Sequence, residues 1–465
     1  MTRLIPPAAL AAVAAIVTAG CASATASRPG ALDGAASVVP GDAVAFVAAN
    51  TDLTSAQWHT VGNVLLNDVE QQTKLSWRDD VKPALGDEVD VAVLKDKQVV
   101  TLTQPRDDAK LSALATKYHV KTRKVGDWTA IAKTDTALQE LGPSASSLAE
   151  NNLFRAAMTR IPADALVRAY VSGARMDELV ASLPGQLETS VAPFGTPYHR
   201  GKTRSQRSIG PTLGMVEFRW AAAALTDAKG GLKFEGFAHT GELTAEGPPR
   251  YVTQPTPPYV SSLVDEIPAD VLAVADFPMP ISSFQLVPKL PAALEKLFGK
   301  DVYNLPVQLD TIFGGETALY VRAALPTPEL TLVTSPDDTA AASSTLDSLL
   351  KTVPKTSPLA RLTLHRAVLG GQFVVSTSQH GIDEFRGAGP KLSAQPAFVE
   401  AEKLSGMPDE ITGFAYANVK AALPLLALVG VKLPAELPDF RSLLAFGSQG
   451  QDERTFTTYI QIGSS

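Results

Sequence analysis

One short phrase occurs four times along the chain, and it limits the possible folds more than any other feature of the sequence. Each copy has an apolar residue and a proline, then an acidic turn, then a run of residues that favour β-structure. Proline ends a preceding helix, and the acidic side chain can accept hydrogen bonds from nearby backbone amides. The copies are VPGDAVAFVAAN from Val39, IPADALVRAYVS from Ile161, IPADVLAVADFP from Ile267 and MPDEITGFAYAN from Met407. Such repetition predicts a fold that uses one supersecondary unit several times.

The elements that follow each phrase also occur in a common order. A helical stretch comes first, and a predicted hairpin follows, with turn residues such as KDK and DAKGG between its strands. The hairpins begin at Val89, Met215, Thr317 and Leu443. The sequence therefore predicts four β-α-β-β units.

A longer period joins these units in pairs. Between units one and two lie a helix, a strand pair ending GDWTAIAKT and a second helix, and the same order occurs around GGQFVVSTS between units three and four. We therefore predict a tandem duplication, with a first half at 38–245, a proline-rich linker at 246–263 and a second half at 264–465. Strands grouped in hairpins favour an α+β fold over a doubly wound parallel one. Its antiparallel sheets would bury one face against helices.

The amino-terminal residues combine a short apolar run with a lone cysteine. Arg3 supplies a positive charge, residues 8–17 are apolar, and two small residues precede Cys21, the only cysteine of the chain. The run falls short of the ~20 apolar residues of a membrane-spanning helix. The pattern resembles the bacterial lipoprotein box, whose cysteine receives a diacylglyceryl group and becomes the new N-terminus. An ordinary cleavable signal with an incidental cysteine is the alternative.

These residues divide into a predicted lipoprotein signal peptide at 1–20 and a flexible tether at 21–37. The tether is rich in Ala, Ser and Gly and has no apolar periodicity, so its r.m.s. reach is roughly 20–24 Å. Two or more acyl chains hold a protein stably on a membrane. We therefore expect lipid attachment at Cys21 and a location on the extracytoplasmic face of a bacterial cell membrane.

The export signal, the proline–acid phrases and the pattern LAENNLFRAAM…IPAD together resemble a family of exported or membrane-attached bacterial proteins. This is the domain-of-unknown-function family numbered 3352. The resemblance covers most of the chain after the signal. It implies an envelope location and an α+β structure, and it supplies no catalytic residues.

Composition argues against several classes of function. Hydrophobic residues make up 45% of the chain and charged residues 19%, which is typical of a folded protein. The net charge of −7 argues against a nucleic-acid partner. A single cysteine permits no intramolecular disulfide, so stability must come from burial of the core.

Fragments of catalytic and ligand-binding motifs occur, but none is complete. The GKT at 201–203 lacks the earlier glycine of a phosphate-binding loop. The SLLK at 348–351 matches S-x-x-K without its partner motifs, and the GSQG at 447–450 lacks the first glycine of a nucleophile elbow. The six histidines are scattered, although His380 and Glu384 lie four apart. We therefore predict no catalytic site, no metal site and no cofactor.

The acids of the repeated phrases could be imagined as a carboxylate set for acid–base chemistry. A catalytic pair must converge on one pocket, whereas these acids recur once per repeat in the same turn. We therefore expect a structural role for Asp42, Asp164, Asp270 and Asp409.

The segment TPYHRGKTRSQRS is the most informative surface feature of the sequence. Four cations lie within a few residues of each other: Arg200, Lys202, Arg204 and Arg207. The matching stretch of the fourth unit has no such cluster, so the fold does not require it. Near an anionic surface each charge contributes roughly 1 kcal/mol. We predict that this loop contacts an anionic surface, and a solvated mobile loop is the alternative.

These observations predict a non-enzymatic, lipid-anchored envelope protein of the binding or scaffold type. Its partners would be the membrane, through a lipidated Cys21, and an envelope protein. The alternative is a carrier of a lipid or another hydrophobic ligand, cradled between sheet and helices or between the two halves, and apolar strands such as FRWAAAAL permit this. An unrecognised hydrolase is a third alternative.

Overall fold

The computed structural model divides the chain into two compact units. Unit 1 comprises residues 1–184, 197–252 and 436–438, and unit 2 comprises residues 185–196, 253–435 and 439–465. The structure describes residues 34–51, 70, 75–142, 146–175, 196–198, 216–242, 250–253, 256–278, 311–324, 328–353, 363–428, 439–450 and 452–463. Each unit combines an antiparallel sheet with helices, which confirms an α+β structure.

The elements of the described residues are numbered in chain order. The strands are β1 (Ala45–Asn50), β2 (Glu88–Val93), β3 (Val99–Thr103), β4 (Lys121–Val125), β5 (Trp128–Ala132), β6 (Val167–Ser172), β7 (Thr196–Tyr198), β8 (Val216–Ala228), β9 (Gly231–Glu242), β10 (Arg250–Thr253), β11 (Val271–Pro278), β12 (Glu316–Arg322), β13 (Glu329–Thr334), β14 (His365–Leu369), β15 (Gln372–Ser376), β16 (Gly413–Ala417), β17 (Phe440–Gln449) and β18 (Glu453–Ile462). The helices are α1 (Lys82–Leu85), α2 (Asp108–Lys117), α3 (Asp135–Gln139), α4 (Asn152–Met158), α5 (Thr339–Thr352), α6 (Gln379–Arg386), α7 (Pro396–Ser405) and α8 (Val419–Leu428).

The two units arrange their strands in matching order. In unit 1 the order across the sheet is β4–β5–β3–β2–β1–β6–β8–β9, and every neighbouring pair is antiparallel. In unit 2 the order is β14–β15–β13–β12–β11–β16–β17–β18, again antiparallel throughout. If β1–β6 are matched to β11–β16, and β8 and β9 to β17 and β18, the two orders are the same.

The four repeated phrases lead directly into the strands at the middle of these sheets. β1 and β6 pair with each other in unit 1, and β11 and β16 pair with each other in unit 2. The four predicted hairpins are present as β2–β3, β8–β9, β12–β13 and β17–β18. Within each unit, strands that pair locally are therefore joined through the phrase strands into a continuous run of paired strands.

The sheet of unit 1 carries helices on both faces. On one face Trp128 packs in a buried cluster with Leu138 of α3 and Phe154 of α4. On the other face Ile131 packs with Leu111 of α2. All residues of β5 are buried, which departs from the expected burial of one face. The reason is that α2 and α3 flank the β4–β5 hairpin in sequence and lie on opposite faces, so its inner strand is enclosed.

Unit 2 has the same enclosure around β15, whose residues are all buried. Phe373 and Val375 pack with Ala342 of α5, while Ile382 and Phe385 form the buried side of α6. Each unit also contains a matching aromatic contact within its own core. Phe154 and Tyr170 meet edge to face at 5.2 Å between ring centroids, and Phe398 and Tyr416 do so at 5.1 Å. These contacts place the main core of each unit between its sheet and its later helices.

Side-chain caps set where several helices begin. A side-chain oxygen accepts hydrogen bonds from the first free backbone amides of the helix, which would otherwise lack partners. The caps are Asp107 for α2, Thr134 for α3, Asn151 for α4, Asp338 for α5 and Ser378 for α6.

The folded body of unit 1 already includes Ala35 and Ala36, which belong to the predicted tether and are fully buried.

Candidate functional site

The residues that the sequence singled out as contact sites lie outside the described residues. They are Cys21 and the four cations of the basic loop, Arg200, Lys202, Arg204 and Arg207. The S-x-x-K serine can be placed, because Ser348 lies on α5 and donates a hydrogen bond to the carbonyl of Ser344 at 2.9 Å. That bond lies within the helix, and it is typical of a serine on a solvated helix face.

The repeated phrase of unit 1 is tied to the turn before α4. Leu148 N–H donates to the carbonyl of Val39 at 2.7 Å, and Gly41 N–H donates to that of Ser146 at 2.7 Å. The side chain of Asn151 then donates to the carbonyl of Gly41 at 2.7 Å. A Cβ at Gly41 would lie 2.5 Å from the Ser146 oxygen, so glycine permits this close approach.

The phrase of unit 2 is tied in the same way to the turn before α7. Leu392 N–H donates to the carbonyl of Ile267 at 2.8 Å, and Ala269 N–H donates to that of Pro390 at 2.9 Å. The side chain of Gln395 donates to the carbonyl of Ala269 at 2.5 Å. The phrase is thus an anchoring turn in both units, joined to a segment more than a hundred residues later.

A hollow of about 460 Å³ opens beside the turn of unit 1. It is lined by Pro40, Gly41, Asp42, Ser146, Ser147, Glu150 and Asn151. Its two carboxylates already form ion pairs, Asp42 with Lys95 and Glu150 with Arg155. They are therefore held by cations and do not form an isolated acid–base pair.

The corresponding acid of unit 2 belongs to a buried charge cluster around Arg322. The Arg322 side chain is 6% exposed, and its guanidinium donates to both carboxylate oxygens of Asp270 at 2.7 Å. It also donates to Glu329, which is 2% exposed, at 2.9 Å, and lies 3.5 Å from Glu384. Burial lowers the pKa of Arg322, but its bonds to Asp270 and the charges of Glu329 and Glu384 outweigh burial and raise that pKa. The guanidinium is therefore permanently charged.

A serine and a histidine also contact this cluster, but not in a catalytic arrangement. Ser378 donates to Glu329, and Nδ1 of His380 lies 3.4 Å from the same carboxylate. Nε2 of His380 lies 3.4 Å from Glu384. In a serine–histidine–acid triad the histidine contacts the serine and takes its proton. Here both groups meet a carboxylate that Arg322 already neutralises, so the cluster holds its shape and activates no nucleophile.

The matching positions of unit 1 are uncharged where Arg322 and Glu329 stand. The sheet registers, Ala45 opposite Val93 and Ala273 opposite Val321, place Leu94 where unit 2 has Arg322. The hairpin registers then place Gln98 where unit 2 has Glu329.

Gln98 makes the same type of contact through a neutral amide side chain. Its amide donates to Glu140 at 3.1 Å and accepts from Thr134 at 3.1 Å. Thr134 caps α3 as Ser378 caps α6. The frame is thus shared by the two units, while the buried ion pair of Arg322 and Glu329 belongs to unit 2.

A second polar group lies in the middle of the unit 2 sheet. Asp276 of β11 is fully buried, and its carboxylate accepts from the hydroxyl of Tyr259 at 2.9 Å and of Ser261 at 2.5 Å. Glu316 on the neighbouring β12 accepts from Ser262 N–H at 2.9 Å and Leu263 N–H at 3.1 Å. Two adjacent carboxylates therefore hold one short segment of backbone.

The protonation of Asp276 is strongly affected by this setting. The pKa of Asp276 is raised to about 7: burial is the main cause and the negative charge of Glu316 adds to it, while the hydrogen bonds from Ser261 and Tyr259 oppose the rise. Burial also raises the pKa of Tyr259, with Asp276 and Glu316 adding to the effect. The carboxyl group of Asp276 consequently changes charge near neutral pH.

Unit 1 also buries one carboxylate in the same strand pair, but on the other strand. Asp90 of β2 is fully buried opposite Ala48 of β1. In unit 2 the acid is Asp276 of β11, opposite Ala318 of β12. Sequence reasoning passed over both acids, although an acidic residue within an apolar strand such as VLAVADFP was a visible signal. Tyr259 and Ser261 were assigned to the linker, and their contacts depend on the tertiary structure.

The described residues contain neither a membrane-spanning helix nor a group of metal ligands. None of the helices in this part of the chain combines the length and the apolar character needed to cross a membrane. Within the same ranges, no three His, Cys, Asp or Glu side chains are grouped so as to hold a metal ion.

Comparison with known proteins reveals little similarity. No protein-family model matches the chain, and no curated protein matches it. Crystal form III of TP0453 is 10% identical, with a TM-score of 0.25 over 43% of this chain and 80% of that chain. Crystal form I of TP0453 is 9% identical, with a TM-score of 0.23 over 47% and 82% of the respective chains. These TM-scores are too low to support an argument about fold or function.

Proposed function

We propose that this chain is a lipid-anchored extracytoplasmic protein of the bacterial cell envelope, of the binding or scaffold type. We also propose that it is a member of the domain-of-unknown-function family numbered 3352. The observation that carries the proposal is the position of Cys21, the only thiol, directly after a short apolar run and two small residues. A folded body that is already packed at Ala35 supports a short tether between that cysteine and unit 1.

The proposal includes an origin of the two units by duplication of an ancestor with two β-α-β-β units. The matching strand orders support it, and so do the matching bonds that tie Gly41 to Asn151 and Ala269 to Gln395. Chemistry has diverged on this frame, since Arg322 stands where unit 1 has Leu94. Two related bodies with different polar groups suit a protein that binds or assembles partners.

The chemistry of the described clusters supports binding over catalysis. Glu329 is shared by Arg322, Ser378 and His380, and each contact fixes the carboxylate in place. A general base needs a free position within reach of the proton that it removes. A carboxylate occupied in this way contributes to shape and local charge.

The attachment is tested by the substitution Cys21→Ser. We expect the wild-type protein in the membrane fraction and the variant in the soluble fraction, because the variant has lost the sulfur that would carry the acyl groups. Immunoblots of the two fractions and the mass of the N-terminal peptide provide the measurement. Ser27→Ala is the matched control, since it changes the same tether and keeps the thiol. A mature N-terminus other than an acylated Cys21 would refute the anchor.

The scaffold is distinguished from a carrier by native mass spectrometry of protein extracted from membranes. We expect the chain to be released with a protein partner and without a bound lipid beyond its own anchor. A second lipid in stoichiometric amount would overturn the scaffold proposal in favour of the carrier, whose ligand would contact apolar strands such as FRWAAAAL of β8.

A further inference from the structure

The segment that leads into unit 2 is held to the sheet by side chains more than by its own backbone pairing. Residues 256–263, here called the strap, pair with the body through the reciprocal backbone bonds of Tyr259 and Ile411, at 2.8 and 3.0 Å. The strap is only partly buried, since Val260 is 64% exposed while Leu263 is fully buried. Apart from the bond to Ile411, the hydrogen bonds that residues 259–263 donate end on Asp276 and Glu316.

These polar attachments all run in one direction. The hydroxyls of Tyr259 and Ser261 donate to Asp276, and the backbone and hydroxyl of Ser262 donate to Glu316. The two acceptors are diagonal neighbours, because Asp276 lies opposite Ala318 and Glu316 lies opposite Pro278 on the paired strands β11 and β12. The negative charge of Glu316 raises the pKa of Asp276, since two carboxylates that share a site cannot easily both ionise. The docked strap therefore covers an acid pair that is best accommodated with one proton.

Loss of that proton places two like charges side by side, one of them fully buried. The cross-strand neighbours of Asp276 are Ala318 and Phe414, which carry no charge to compensate it. The ionisable groups that act on Asp276 are Glu316 from β12 and Tyr259 from the strap. Hydroxyl donors offset part of the cost, but a buried carboxylate beside another carboxylate gains most by reaching water.

We propose that Asp276 and Glu316 form a proton-dependent clamp, which holds the strap against the unit 2 sheet and releases it when both carboxylates are ionised. The clamp belongs to unit 2 alone, since Ala48 of unit 1 stands at the position of Asp276. Release of the strap would expose Asp276 and Glu316 to water. The clamp is therefore a switch between a docked and a released strap within unit 2.

The sign of the pH dependence follows from the two states of Asp276. When the strap is docked, burial holds the pKa of Asp276 at about 7; once the strap is released, solvation returns it toward the ordinary value of ~3.9. The docked state thus binds more protons between these two values, so docking weakens as pH rises through that window. One proton changes the docking equilibrium by up to about tenfold per pH unit.

Amide hydrogen exchange of the full chain measures docking directly. The amides of Tyr259 and Ile411 are bonded only across the strap contact, so their protection factors, corrected for intrinsic rates, report the docked fraction. We expect both protection factors to fall at least tenfold between pH 5.5 and pH 8. The amide of Leu392, which is bonded to Ile267 elsewhere in unit 2, is the internal control and should not change with them.

The substitution Asp276→Asn removes the titrating group and keeps its shape. We expect the strap amides of this variant to stay protected at both pH values, whereas Asp265→Asn, an exposed acid next to the strap, should behave as wild type. If Asp276→Asn fails to fold, Glu316→Gln provides the second test. It removes the repelling charge, so the transition should move to lower pH. Strap protection that is independent of pH in the wild type, or unchanged pH dependence in Asp276→Asn, would overturn the clamp.

Discussion

Arg322, the last residue of β12, and Leu94, the residue directly after β2, occupy matching positions, yet they meet different surroundings. Leu94 is 1% exposed and belongs to the apolar core of unit 1. Arg322 is nearly as buried and is accommodated by Asp270 and Glu329. Because a buried charge is costly without its partner, the two residues cannot be exchanged one at a time.

This arrangement predicts how unit 2 responds to substitution. Arg322→Leu leaves Glu329 buried without its cation and should lower the free energy of unfolding by about 3–5 kcal/mol. The double substitution Arg322→Leu/Glu329→Gln recreates the Leu94 and Gln98 pair of unit 1 and should recover most of that loss. Urea denaturation of the full chain, followed through the transition of unit 2, gives the free energies of unfolding of the wild type, the single variant and the double variant.

Glu384→Gln provides the control, because Glu384 is 43% exposed and its ion pair should contribute less than about 1 kcal/mol. A double variant as unstable as Arg322→Leu would contradict the role assigned to Glu329.

At the residue scale only one part of this cluster was visible in the sequence. The four-residue spacing of His380 and Glu384 placed them on one helix face, and α6 confirms it, whereas Glu329 joins them only through the pairing of β12 with β13.

The side chain that ties the anchoring turn to the following helix has two roles in unit 1 and one role in unit 2. In unit 1 it ties the turn and caps the helix, whereas in unit 2 it only ties the turn. The amide of Asn151 ties the turn at Gly41, and its carbonyl oxygen caps α4 through Leu153 N–H at 2.8 Å. Gln395 ties the turn at Ala269 but makes no cap, and Pro396 begins α7 instead. Proline suits that first position because its missing N–H would have no partner there.

We therefore expect the two side chains to differ in their effect on stability. Asn151→Ala should cost about 2 kcal/mol, roughly half from the lost cap and half from the lost tie. Gln395→Ala should cost about 1 kcal/mol, since only the tie is lost. Thermal and urea unfolding of the two variants test the difference, with exposed Asn152→Ala as a control near zero. Equal losses at Asn151 and Gln395 would show that the cap contributes nothing.

At the element scale, local sequence patterns predicted where hairpins and helices occur, but they did not predict which strands are buried on both faces. The hairpins, the helix starts at Asp107 and Asp338, and the strand after each phrase all follow from residues a few positions apart. Burial of β5 on both faces was missed, although WTAIA is almost continuously apolar. Local sequence shows that a strand is apolar, but the second helix layer that covers it is brought there by the tertiary fold.

The molecule as a whole is acidic, with a net charge of −7, which sets the basic loop apart. Its four cations lie outside the described residues, and their contact with an anionic surface stays a prediction. An acidic body is repelled by anionic lipid unless a local cluster of cations reaches the surface first. With the proposed attachment at Cys21, such a cluster would orient the protein on the membrane.

Vesicle binding tests this prediction in the Cys21→Ser background, where the anchor makes no contribution. Replacement of Arg200, Lys202, Arg204 and Arg207 by Gln should weaken binding to vesicles with anionic lipid by at least about tenfold, since each charge contributes roughly 1 kcal/mol. The same number of exposed cations elsewhere, at Lys351, Arg386, Lys403 and Lys420, provides the control. Equal binding by both variants would assign the loop to solvent.

The sequence by itself determined the repeated phrase, the hairpins and the α+β class. All of these depend on contacts between residues near one another in the chain. Tertiary structure alone decided that β1 pairs with β6 across more than a hundred residues, and that both units order their strands alike. It also decided that Asp276, and not Asp270, is the fully buried acid of its phrase. Burial is set by what packs above a residue, and those partners come from distant parts of the chain.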